Sequence, residues 1–223
     1  MAMPDFALSR FGILDYLTLK SYQMGHYIFS YAINTSKVRA IFGSADNELF
    51  NAIQSTQTFE NYSSQDSDDY ISKKSALEHI VFGKPYDKNY SHVYWYAFIC
   101  ICSYAHEGLS AAHEIKLGYE TDIIKEALKN DFNIIMDIEE ELFESTPSLG
   151  LPRAKDFPFA GLIQKQGLIA LQEKFKDIQI NDEMIEKLSD DVEKEIAYNN
   201  IKLIKSKVSF CLENDLELIS FCH

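Results

Sequence analysis

The alternation of apolar and polar residues divides the chain into short elements. The run His26-Tyr27-Ile28-Phe29-Ser30-Tyr31-Ala32-Ile33 predicts a first strand, and Leu216-Glu217-Leu218-Ile219-Ser220-Phe221 predicts a last one. Two isolated strands need partners, so the two are expected to pair with each other. Asn34-Thr35-Ser36 offers N-cap hydroxyl and amide oxygens to a short helix carrying Val38 and Ile41, which Gly43 is placed to end. A second helix is expected from Ser44 through Leu49, Phe50 and Ile53. The Ser-, Thr-, Gln- and Asn-rich tract from Gln54 to Asp69 then reads as a mobile loop.

Helical spacing resumes at Ser72 with Ala76, Leu77, Ile80 and Val81, and Gly83-Lys84-Pro85 closes that helix. The segment Val93 to Cys102 is apolar on every side, which suits a helix enclosed by others or a buried strand. A further helix is predicted over Tyr119 to Leu128, followed by an acidic stretch that leads into a loop. Three of the five prolines, Pro147, Pro152 and Pro158, stiffen that connection, whose apolar content must pack on something. The last third predicts a helix from about Gln164 to Phe175, then one long amphipathic helix opened by Asn181-Asp182-Glu183 with Ile185, Leu188, Val192 and Ile196 in register. The fold class is therefore a helix-dominated α+β single domain with a small sheet pairing the chain-end strands. Residues 1–23 read as an N-terminal extension or leader, with Met24 a second possible start, and residues 24–223 as the domain. The apolar residues Phe6, Leu8, Phe11, Leu14 and Leu17 of the extension have the spacing of a docking helix.

Composition narrows the function classes. A formal charge of -13, from 34 acids against 21 Lys plus Arg, repels phosphate backbones, and Arg10, Arg39 and Arg153 are scattered rather than clustered. Nucleic-acid binding is disfavoured, and a basic protein partner fits the field better. Cys100, Cys102, Cys211 and Cys222 lack paired C-x-x-C spacing, so reduced, buried thiols in a cytoplasmic protein are expected. No stretch approaches 18 uncharged apolar residues, so no membrane span is expected either. Oligomeric state is not written in the pattern.

Candidate chemistry is thin. His106-Glu107 and His113-Glu114 recur seven residues apart, which would align two imidazoles on a continuous helix, but Gly108 and Ser110 interrupt it, and no metal site or cofactor is assigned. Cys222 and His223, adjacent on a strand, point to opposite faces and cannot share a proton. There is no G-x-S-x-G elbow, glycine-rich phosphate loop or dinucleotide fingerprint, and no catalytic residue is assigned. His79 and His92 frame the turn Gly83 to Tyr90 and with Tyr94 and Trp95 are candidates to line a binding pocket, together with Asp156, Phe157 and Phe159. Asp137, Glu139, Glu140, Glu141 and Glu144 form a candidate partner-facing acidic patch. Acids in succession fan around a helix axis instead of converging on a cation.

Several features occur in an order that resembles the YfbM-like bacterial domain family of unknown function. They are Tyr27 to Ile33 running into Ser36-Lys37-Val38 and Phe42-Gly43-Ser44; Ala76-Leu77-Glu78-His79-Ile80 with Gly83; Asp156 to Ile163 entering a helix; and Leu218-Ile219-Ser220-Phe221-Cys222-His223. The resemblance covers residues 24–223 and implies a compact α+β domain of the bacterial cytoplasm. It brings no catalytic residues. Two functional expectations follow: a non-enzymatic binding module, of immunity or inhibitor type, for a basic protein partner, or alternatively a small-molecule hydrolase using His79, His92 or His106 with a carboxylate near Trp95.

Overall fold

A computed structural model describes residues 25–67, 70–108, 113–153 and 157–223. The docking-helix expectation for residues 1–23 and the binding role expected of Asp156 lie outside them. Four strands form one antiparallel sheet: β1 (Tyr27–Ile33), β2 (Ile115–Lys116), β3 (Phe159–Ile163) and β4 (Glu217–Cys222), in the spatial order β2-β1-β4-β3. The chain-end strands pair as expected, with Ile28 opposite Cys222 and Ile33 opposite Glu217. Both occupy the middle of the sheet and are buried on both faces, which accounts for their nearly unbroken apolar sequences.

The alternation within β1 sorts two cores. Phe29, Tyr31 and Ile33 face one cluster with Ile219 and Phe221, while Ile28 and Ala32 face another with Leu218 and Cys222. The first cluster centres on the helix from Ser91 to Ala105. Its segment Val93 to Cys102 is buried except for Tyr96, so the all-round apolar pattern is that of an enclosed helix rather than a strand. It is packed by α1 (Thr35–Ile41), α2 (Asn47–Gln54), α3 (Gln57–Ser63) and α4 (Lys73–Val81), which makes the enclosed helix α5. The second cluster lies under α6 (Tyr119–Phe132), α7 (Ile138–Leu142), α8 (Lys165–Phe175), α9 (Asp182–Glu186) and α10 (Val192–Glu213). The fold is thus a helix-dominated α+β single domain with two cores sharing one sheet.

The expected caps hold in part. Asn34 Oδ1 accepts from Lys37 N at 3.0 Å, and Gly43 follows α1 at a φ of 69°, a left-handed conformation that glycine adopts without penalty. Helix α2 starts after Asp46 rather than at Ser44, because the Asp46 carboxylate accepts from both Glu48 N and Leu49 N.

Three expectations need correction. The tract from Gln54 is not a continuous loop, because the Thr56 hydroxyl accepts from Phe59 N and caps α3, whose Phe59 is buried. Two aromatics spaced by three, Phe59 and Tyr62, outweigh the polar composition. The proline-rich connection ends in strand β3, which takes the free edge of β4. There Gly161 admits Leu142 O and Phe143 so closely that a Cβ would stand 2.3 Å from the former. Finally, the long C-terminal helix is two helices. Asp191 accepts from Lys194 N and starts α10 afresh, so Val192 is exposed instead of continuing an inward stripe from Ile185.

Candidate functional site

The residues expected to line one pocket are distributed over two places. His79, on α4, places Nδ1 2.9 Å from the Tyr94 hydroxyl, which accepts from Asp87 N at 2.8 Å. Burial raises the Tyr94 phenol, which stays protonated, and Tyr86 packs edge-on against its ring. These bonds fasten the turn after α4 to α5. His92, two residues earlier on α5, packs edge-to-face with Tyr70. His79, His92 and Tyr94 thus belong to aromatic packing at one end of α5.

Trp95 points elsewhere, since adjacent positions on a helix are about 100° apart. Its ring is 5% exposed and its Nε1 donates to Pro152 O at 2.9 Å, tying the proline-rich connection to α5. Beside it lies an open groove of about 910 Å³ with a largely apolar wall of Trp95, Phe143, Leu151 and Phe159. Phe159 leaves 48% of its surface exposed. Phe157 stacks on His26 at 3.8 Å and meets the Phe159 ring at a tilt, with centroids 4.6 Å apart. The cis bond Phe157-Pro158 stands at the entrance to β3.

Glu139 and Glu140, at the start of α7, line the same groove, as does Arg153. The other acids of the run are engaged differently. The Asp137 carboxylate caps α7 through Glu139 N and pairs with Lys125 at 2.6 Å, which holds it below the usual carboxylate range. Glu141 pairs with Lys174, and the Glu144 carboxylate lies against Gly167. Glu139 accepts a 2.5 Å hydrogen bond from Thr121. The run is therefore two groove-lining carboxylates flanked on both sides by charges held against neighbouring elements, as the turning of a helix requires.

The paired histidines part company at the end of α5. His106 follows its last turn and donates from Nδ1 to Ser103 O at 2.5 Å; His113 precedes β2 and donates from Nε2 to Asn200 Oδ1 at 2.5 Å. Among the described residues no three metal-ligating side chains gather. Adjacent Cys222 and His223 do point apart: Cys222 borders the groove, and His223 lines a second, polar cleft with His106, Tyr31, Tyr62 and Ser103. The sequence reading missed this second constellation. Its signal was the alternation of β1, which places Phe29 and Tyr31 on the face of β4 that leads to His223.

The four cysteines are buried and unbridged, and burial raises their thiols, those of Cys100 and Cys211 to about 12. Among the described residues no helix is long and apolar enough to cross a membrane. No curated protein and no solved structure matches the chain, and no match links it to the YfbM-like proteins that its ordered features resemble. Residues 24–223 do match a family model over nearly the whole chain, and the protein belongs to that family, the domain of unknown function DUF7691.

Proposed function

We propose that the domain is a non-enzymatic binding module whose groove beside Trp95 receives an apolar segment of a basic protein partner. The observation that carries this reading is the groove itself: an apolar wall including a half-exposed Phe159, bordered by Glu139 and Glu140 on a chain of net charge -13. An exposed aromatic costs solvation free energy that a partner's side chain recovers, at about 25 cal/mol per Å² of apolar surface covered. The carboxylates supply register and encounter rate more than affinity. A segment carrying Leu or Phe anchors flanked by Lys or Arg meets both requirements, with Arg153 left to select against a uniformly basic stretch. The reduced, buried cysteines support a cytoplasmic setting.

Panning a displayed random-peptide library against the protein tests the proposal. The enriched peptides are expected to combine apolar anchors with Lys or Arg, and to lose binding to Phe159→Ser and to a Glu139→Lys/Glu140→Lys double variant. Enrichment without charge bias, or equal binding to these variants, would overturn it.

A further inference from the structure

On the α5 side of the sheet, a second cleft of about 490 Å³ has a lining of a different kind. Three hydroxyls, of Tyr31, Thr58 and Ser103, gather at its wall. Thr58 Oγ1 and Ser103 Oγ are 2.7 Å apart, and both hydroxyls lie near enough to the Tyr31 phenol to oppose the rise in its pKa. Burial pushes the Tyr31 phenol up to about 12 and raises that of Tyr62, so both remain neutral hydrogen-bonding groups.

The tautomer of His106 follows from its partner. A backbone carbonyl only accepts, so Nδ1 bears the proton that bonds Ser103 O, which leaves Nε2 as the nitrogen with a lone pair to offer in this tautomer. The Tyr31 ring packs against His106 at 5.5 Å, which fixes the orientation of the imidazole. His223, held edge-on by Phe29 at 5.2 Å, is kept neutral because burial lowers its pKa. Among the described lining residues Glu114 is the one charged side chain, and no Lys or Arg accompanies it. An anionic ligand would meet a carboxylate with no compensating cation, whereas a hydroxyl or amine finds acceptors and an aromatic wall.

We infer that this cleft is a small-molecule site, separate from the groove, in which His106 Nε2 accepts a hydrogen bond from a hydroxyl- or amine-bearing ligand that carries neither phosphate nor carboxylate. Glu114 sets the charge preference, and the Tyr31–Thr58–Ser103 hydroxyls supply both donors and acceptors to the ligand's polar edge.

The test follows imidazole ring signals of the full chain by ¹H–¹⁵N correlation NMR, with adenosine and glucosamine as probes, each against its phosphate ester. Before any addition, the proton of His106 should reside on Nδ1. At least one parent probe should then shift the His106 and His223 ring signals and raise the melting temperature, while its ester binds at least tenfold more weakly. His106→Phe should abolish the response, and Phe159→Ser should leave it intact, which separates this site from the groove. A His106 ring protonated at Nε2, esters binding as well as their parents, silence of both parent probes at millimolar concentration, or undiminished binding by His106→Phe would overturn the inference.

Discussion

Both faces of the sheet pack apolar residues against their helices, and they differ in the polar groups buried beside them. On one face, Phe29, Ile33 and Phe221 meet Phe98 of α5, with edge-to-face rings between Phe98 and Phe221 at 5.7 Å, and the helix itself is apolar throughout its middle. On the other face, α10 buries Lys207, whose Nζ reaches Ser30 O at a long 3.4 Å, beside a Ser30–Ser220 hydroxyl pair at 2.8 Å. Asn200 of the same helix is 2% exposed and links His113 to Glu120. The α5 face is a packed core whose polar atoms sit at its ends, where the cleft opens. The α10 face carries an amine in its interior with little to offset desolvation. The contrast between the faces therefore lies in this one desolvated amine, and the α10 face has room for improvement there.

Four substitutions break or sharpen that contrast. Phe98→Ala, which empties the centre of the α5 face, should cost about 3–5 kcal/mol in urea unfolding. A loss below about 1 kcal/mol would contradict close packing at the centre of this face. Gly161→Val should cost about 3 kcal/mol or more, because its Cβ meets Leu142 O and the Phe143 backbone, and the groove wall cannot form without that approach.

Lys207→Met should act in the opposite direction and stabilise. Burial pushes the folded-state Lys207 ammonium down to about 8 from 10.5, so the unfolded chain binds the proton more tightly. The penalty is fully present below pH 8 and is relieved as pH rises from about 8 towards 10.5. The gain from Lys207→Met, on the order of 3 kcal/mol at pH 7, should therefore shrink over that window. A pH-independent gain, or a loss, would mean that the amine has partners that the 3.4 Å contact does not reveal. Phe159→Ser, at the rim, should shift stability by less than about 1 kcal/mol while removing groove binding.

Much of the framework was legible in the sequence because its signals are local. The pairing of β1 with β4 follows from two apolar runs at the ends of a helical chain, and the enclosure of α5 from a segment without a polar side. The rest depended on contacts distant in sequence. Strand β3 was hidden because Gly161 and the preceding Pro152 and Pro158 give it the composition of a loop, and only the vacant edge of β4 makes it a strand. Helix α3 was hidden by its polar surface, although Thr56 and the Phe59/Tyr62 pair marked it. Trp95, Phe159, Glu139 and Glu140 were each singled out from the sequence, but their meeting in one groove depends on how α7 docks on β3. The cleft of His106 and His223 joins residues 117 apart through the β1–β4 register, which no local pattern encodes.

The groove is most directly tested by the fluorescence of Trp95, the single tryptophan, during titration with a library-selected Lys- and Leu-bearing peptide at low and high salt. Saturable change in the emission, weakened at high salt and absent in Phe159→Ser, is the predicted result. Tight peptide binding that leaves the emission of Trp95 unchanged, or that is indifferent to salt, would contradict it.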